Sequence, residues 1–213
     1  MKARWDSLIK RTRNVFDINI DPMFASSIYE RYIVPHYTED RYYHTLRHIQ
    51  ATLTALTDFE LSPIDRVKVE WGLWFHDIVY NSTKTNNEEQ SAEHFAKFAD
   101  YARIPMKDMV EISNLIIATK HVQVPTEILP SIICDCDLAE LASPYYIVNA
   151  INVRKEYGFL TDKEWIKGRT EFIEGMLDKE HIYHTGEYRT MLEDTARQNL
   201  QKELDTLTKH RDH

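Results

Sequence analysis

The stretch Ser62-Pro63-Ile64-Asp65-Arg66-Val67-Lys68-Val69-Glu70-Trp71-Gly72-Leu73-Trp74-Phe75-His76-Asp77-Ile78 bears on both the fold and the chemistry of this chain. Ser62 is a good helix cap, and Pro63 suits the first helical position, where its missing N–H costs nothing. Behind them Ile64, Val67, Trp71, Trp74, Phe75 and Ile78 recur at helical spacing. The run Trp71-Gly72-Leu73-Trp74-Phe75 is apolar almost all round, which predicts a helix buried in a helical core. His76-Asp77 closes that helix. A carboxylate beside such a wall is costly unless it is paired or bound to a cation. The plain alternative is an Asp that caps the turn Tyr80-Asn81-Ser82, with His76 as a satisfied core histidine.

The same start signals recur along the chain. Ser143-Pro144 precedes Tyr145–Tyr157, Pro105 opens a helix with Val110, Ile117 and Ala118, and Thr161-Asp162-Lys163-Glu164 reads as a capping box. Helices are expected over about 3–15, 21–35, 44–57, 63–79, 87–102, 105–120, 132–142, 144–158, 161–179 and 187–207. Only Val122-Gln123-Val124 hints at a strand, so the class is all-α. No repeat or Pro/Gly-rich linker divides the 213 residues, and one domain over 1–213 is the simplest reading. A net charge of −8 argues against a nucleic-acid or membrane-surface partner. Cys134 and Cys136, one residue apart, are too close for an ordinary disulfide and suit a reducing cytoplasm; as a zinc half-site they lack two ligands. No signal peptide is read after Met1, and no stretch reaches the roughly 18–20 apolar residues needed to cross a bilayer. A helix from Glu187 to about Leu207 would pack on its own core or on a second copy, which leaves a homodimer open. The tail Lys209–His213 reads as polar and loose.

Further candidates flank the His-Asp pair. His44 and His48 are four apart and would share a helix face, beside small Ala51 and Ala55 and away from Leu46, Ile49, Leu53 and Leu56. The alternative is two surface histidines on a basic helix with Arg41 and Arg47. Asp135 and Asp137 point to opposite sides of a helix. Asp137 shares an inward row with Ile133 and Leu141 and is the candidate ligand, while Asp135 is the candidate cap or a partner to a ligand. Imidazole and carboxylate together suit Mn, Fe, Co, Ni or Zn.

In order, these pieces are Arg41-Tyr42-Tyr43-His44-Thr45-Leu46-Arg47-His48-Ile49, Trp74-Phe75-His76-Asp77-Ile78-Val79-Tyr80, Asn87-Glu88 with Ser91-Ala92, Ala118-Thr119-Lys120-His121, Asp135-Cys136-Asp137-Leu138-Ala139, Val153-Arg154-Lys155-Glu156-Tyr157 and Ala196-Arg197-Gln198-Asn199-Leu200. Together they resemble the HD-domain superfamily of metal-dependent phosphohydrolases, over about residues 4–205. The resemblance implies a bundle of roughly eight to ten helices. It also implies a small phosphorylated substrate, with nucleotides among the candidates, and one divalent ion (Mn, Fe, Mg, Co, Ni or Zn) with room for a second. His48, His76, Asp77 and Asp137 become the expected metal ligands. His44 becomes the proton donor to the leaving group, by likeness to cyclic-nucleotide phosphodiesterases; the alternative makes His44 the ligand. His121 is expected to offset phosphoryl charge, and Glu88 to act as base or as partner of a ligand. Lys120, Arg154 and Arg169 are expected at the phosphate, although Glu156, Glu164 and Glu171 could hold the arginines instead. Alarmone hydrolases of the superfamily carry Glu-Asp a few residues beyond the His-Asp pair; here Tyr80-Asn81 stands there, against that activity. An HD-type di-iron oxygenase would need further histidines before Asp137, and only His94 and His121 qualify. A non-catalytic ligand sensor that keeps its metal is the third reading.

Overall fold

Ser62 caps its helix as expected: its hydroxyl accepts from the Asp65 amide at 3.2 Å. In the computed structural model, which describes residues 1–38 and 41–211, the first half of the chain forms α1 (Lys2–Phe16), α2 (Pro22–Ile28), α3 (Val34–His36), α4 (Leu46–Ala55), α5 (Pro63–Phe75) and α6 (Asn87–Ala102). The second half forms α7 (Met106–Ala118), α8 (Ile128–Leu138), α9 (Tyr146–Glu156), α10 (Asp162–Leu177), α11 (Gly186–Met191) and α12 (Glu193–Arg211). No strand occurs among the described residues, and the class is all-α. Val122-Gln123-Val124 lies in the bends between α7 and α8.

Helix α5 is the axle. Val67, Lys68, Val69 and every residue from Trp71 to Phe75 are buried, with α1, α4, α7 and α8 packed around them. Trp5 stands edge-on to both Trp71 and Trp74, with ring centroids 5.3 Å apart in each pair. Phe75, Phe95 and Phe98 extend the aromatic nucleus. Each buried polar tip finds a partner: Trp71 Nε1 donates to Thr12 Oγ1 at 2.9 Å, Trp5 Nε1 to the Ala25 carbonyl at 2.9 Å, and the Tyr37 hydroxyl to the Trp74 carbonyl at 2.7 Å. A π-turn over Tyr29–Ile33 joins α2 to α3, just ahead of Pro35, which has no amide to continue an α-helical ladder.

The structure revises several boundaries. Helix α4 begins at Leu46 rather than at residue 44, because Thr45 is extended and its hydroxyl accepts from the Arg47 amide. His44 is therefore off the helix, and a shared helical face does not relate it to His48. Helix α5 ends at Phe75, where Arg41 takes over: it donates to the carbonyls of Asp77 at 2.6 Å and Ile78 at 2.9 Å. Helix α8 starts at Ile128, since Pro130 falls in the first turn, where a missing N–H is tolerated. The capping box of Thr161 and Glu164 forms as expected. Asp135 caps a different helix from its own: its carboxylate accepts from the His184 and Thr185 amides and the Thr185 hydroxyl, at 2.6–2.8 Å, at the start of α11.

The expected helix over 187–207 is two helices, broken at Leu192. Glu193 turns its carboxylate back onto the Ile182 and Tyr183 amides at 2.9–3.2 Å and also holds Arg197. Helix α12 lies on α10 of its own chain and runs through Arg211; Asp212 and His213 of the expected loose tail lie outside the described residues. No helix among the described residues is long and apolar enough to cross a membrane.

Glu193 gives a test of the C-terminal pairing. Burial pushes its carboxyl up, but the Ile182 and Tyr183 amides and Arg197 outweigh burial and hold it below the usual range. A depressed carboxyl stabilises the fold above the unfolded pKa of about 4.3, and that contribution fades as pH falls through the lower folded value. Glu193→Gln is expected to cost about 1–3 kcal/mol at neutral pH. Urea midpoints should converge on wild type as pH falls toward about 3; a deficit equally large at both pH values would contradict the account.

Candidate metal centre

Three donor residues, His48, His76 and Asp137, meet at one end of α5, with Asp77 beside the two histidines. His48 comes from α4, His76 and Asp77 from the end of α5, and Asp137 from the last turn of α8. His48 Nε2 lies 3.3 Å from His76 Nε2, 3.0 Å from Asp137 Oδ1 and 3.6 Å from Asp77 Oδ2. His76 Nε2 lies 3.1 Å from Asp77 Oδ2 and 3.3 Å from Asp137 Oδ1. His48, His76 and Asp137 form a group whose donors all lie within 4.8 Å of one another, which could hold a metal ion. Divalent ions of this kind bind nitrogen and oxygen at about 2.1 Å, so neighbouring donors around one centre lie about 3.0–3.4 Å apart. The measured separations fall in or near that range.

The second nitrogens explain why the donors face inward. His76 Nδ1 lies 2.9 Å from the Leu73 carbonyl, and His48 Nδ1 lies 3.2 Å from Glu140 Oε2. Each acceptor favours the Nδ1–H tautomer, which leaves an Nε2 lone pair pointing at the common centre. His121 Nε2 is 2.9 Å from Asp137 Oδ2, and its Nδ1 is buried without a partner. That pattern makes His121 the N–H donor to Oδ2, while Oδ1 faces His48 and His76. Two lone pairs and two carboxylates thus converge with no hydrogen of their own between them. Positive charge must occupy the middle.

The electrostatics agree. His48 and His76 are nearly fully buried, and Asp77 and Asp137 are 14 % and 16 % exposed. Burial pulls the His48 imidazole down, but Asp137 and Glu140 outweigh it and hold it at about 9. Burial pushes the Asp77 and Asp137 carboxyls up, and the surrounding histidines overcome it and hold both well below the usual carboxylate range. Without an ion, protons on the imidazoles supply the charge; a divalent cation would replace them.

Gly72 sets the helix spacing that makes this possible. A Cβ there would sit 2.6 Å from Ile133 Cδ1, so its absence lets α5 and α8 approach closely. One turn on, at i+4 on both helices, stand His76 and Asp137.

The remaining expected residues divide. His44 stands beside the centre on the turn before α4: its Nδ1 is 2.6 Å from Glu156 Oε2, and its ring stacks on Tyr80 at 3.8 Å. Glu88, in the first turn of α6, is half-buried and feels Asp77, but makes no side-chain hydrogen bond to the cluster. Lys120 is taken up by Glu89. Arg154 donates to the Tyr157 and Leu160 carbonyls and to Asp162, so its guanidinium serves the α9–α10 connection rather than a phosphate. Arg169 grips Glu203 with two hydrogen bonds at 2.9 and 3.0 Å. His94 belongs to a separate cluster with Tyr32 and His36. The cysteines are reduced and buried, and burial pushes the Cys134 thiol up to about 12, so neither is poised to ligate or attack.

Sequence reasoning missed three residues that build the site. Arg41 clasps the His44 turn to the end of α5, donating to the carbonyls of His44, Asp77 and Ile78. Glu140 holds His48; its only local signal is its place one turn after Asp137. Glu156 accepts from the amides of Tyr42, Tyr43 and His44 as well as facing the His44 ring, and nothing near it in sequence announces that.

The centre opens onto a cleft of about 430 Å³ whose near wall holds Tyr43, His44, His121 and Asp137. Compared with protein-family models, with curated proteins and with solved structures, the chain matches none of them.

Two variants test the centre. Asp137→Ala is expected to lose bound metal by elemental analysis with helix content near wild type. Glu140→Gln, which leaves all four donors in place, should weaken metal affinity by roughly tenfold to a hundredfold in a chelator competition. Unaltered affinity would remove Glu140 from the site.

Proposed function

We propose that this chain is an HD-type metal-dependent phosphohydrolase that cleaves a phosphoester or phosphoanhydride bond of a small molecule. The observation that carries this reading is the convergence of His48, His76 and Asp137 on one point, with Asp77 beside the two histidines, at the mouth of a cleft that also holds His44. The order of these residues along the chain, with its resemblance to HD hydrolases, supports the same reading. A divalent ion at that point would acidify a water and offset the charge of the phosphoryl oxygens.

The protein's own groups have separate tasks. Asp77 and Asp137 stay ionised and fix the charge of the centre. His121, through its bond to Asp137 Oδ2, orients that carboxylate. His44 is bound at Nδ1, which leaves Nε2 for the cleft. Hydrolysis forms one P–O bond to water and breaks the P–O bond to the leaving group; His44 supplies the proton that the departing oxygen needs. Glu156 is a positioning residue that holds the His44 ring at Nδ1, and burial raises its own carboxyl less than His44 and the Tyr43 and Tyr42 amides lower it.

The test is a phosphate-release screen over phosphoesters and nucleotides with Mn, Mg, Fe, Co, Ni or Zn. Wild type is expected to release phosphate in a metal-dependent way. His44→Ala should keep metal while kcat falls by about 10²–10⁴, and Glu156→Gln should fall less and shift the pH profile. Metal bound without release from any substrate would overturn the hydrolase reading. Loss of metal in His44→Ala would instead make His44 a ligand.

A further inference from the structure

We infer that the cleft selects a monophosphate ester whose organic part is apolar and ring-bearing, a conclusion that rests on the phosphohydrolase reading for the phosphate and on the cleft alone for the organic part. Away from the metal centre the walls are Leu138, Leu141, Val153, Leu160, Trp165 and Phe172. Of the polar groups beside them, Arg169 and Asn149 are already engaged. Arg169 is the sole lysine or arginine lining the cleft among the described residues, and its guanidinium is held by Glu203 and by the Tyr146 hydroxyl at 3.2 Å. Asn149 Nδ2 donates to Glu140 Oε1 at 2.9 Å, while the other oxygen of Glu140 faces His48.

Charge sharpens the choice. Asp77, Asp137, Glu140 and Glu156 surround the inner end, so the positive charge that meets a single phosphoryl group would come from the bound ion. A di- or triphosphate tail would bring further negative charge into a cleft with no free Lys or Arg to receive it. A sugar or other polyol would lose its water against the largely apolar outer walls, where Leu138, Leu141, Val153, Leu160 and Phe172 offer it no hydrogen bond.

Gly168 adds an independent mark. It lines the cleft from within α10, and nothing lies within 4 Å of where its Cβ would be. Glycine is a poor residue inside a helix, and no neighbouring atom demands it there. Gly168 is exposed at the edge of the cleft, and a large side chain there is expected to narrow it.

The probes are 1-naphthyl phosphate, glycerol 3-phosphate and ATP as substrates. Direct binding is followed with 1-naphthol on metal-loaded wild type and on Asp137→Ala. Wild type is expected to prefer naphthyl phosphate to glycerol 3-phosphate by at least about tenfold in kcat/KM, the scale of discrimination by apolar contact. Gly168→Phe, whose fold is checked by circular dichroism and thermal melting, should collapse that preference and abolish naphthol binding, while Asp137→Ala should still bind naphthol. Equal or better turnover of glycerol 3-phosphate or ATP, with the preference unmoved by Gly168→Phe, would overturn the inference and leave the hydrolase standing. Naphthol bound in the cleft with no phosphoester cleaved would do the reverse: the apolar occupant would stand and the hydrolase would fall. Failure of naphthol to bind wild type at all would overturn the inference directly.

Discussion

The enforced proximity of His48 and His76 is the constraint around which the rest is built. Two neutral imidazoles do not naturally present their Nε2 atoms to each other at 3.3 Å. Here both are buried and both are held from behind, by the Leu73 carbonyl and by Glu140. Asp77 and Asp137 compensate, and they are themselves costly in so dry a place unless positive charge joins them. The fold therefore holds a centre that is stable only when charged at its middle.

Holding such a centre demands a rigid frame, and the frame is helical packing around α5. Trp5, Trp71 and Trp74 lock α1 to α5, with the Trp5 and Trp71 indole N–H groups both donating to partners. Gly72 lets α8 come close enough for Asp137 to reach His76. Arg41 ties the non-helical turn of His44 to the backbone of Asp77 and Ile78. His44 and His48, the two histidines of the site nearest each other in sequence, are thus placed by different means: the second by a helix, the first by an arginine and a glutamate.

Much of this was legible in the sequence, and the limits have physical causes. Helix α5 could be read because its cap, its first-turn proline and its apolar run lie within one window. Asp137 could be chosen over Asp135 because helical geometry sends them to opposite sides. His44 was misplaced on the helix although Thr45, a good capping residue, stood just before Leu46; the four-residue spacing outweighed the cap. Glu140 and Glu156 escaped because their partners lie 92 and 112 positions away, beyond any local pattern. Arg154 and Arg169 look alike in sequence, and only folding reveals that Asp162 and Glu203 engage them. The helix over 187–207 could not be seen to break, since Glu193 is drawn out of register by amides on the preceding connection.

The cleft and the charged centre are best understood together. Charge interactions strengthen as water is excluded, so apolar walls beside Asp77, Asp137 and the histidines raise the hold on a cation and on one phosphoryl group. The same walls penalise any second anion that enters without a partner. A free Arg169 would relieve that penalty, but Glu203 and Tyr146 already engage it, which leaves the outer cleft close to neutral. One arrangement thus does two things: it concentrates the electrostatics at a single point and it leaves shape and apolar contact to discriminate everywhere else.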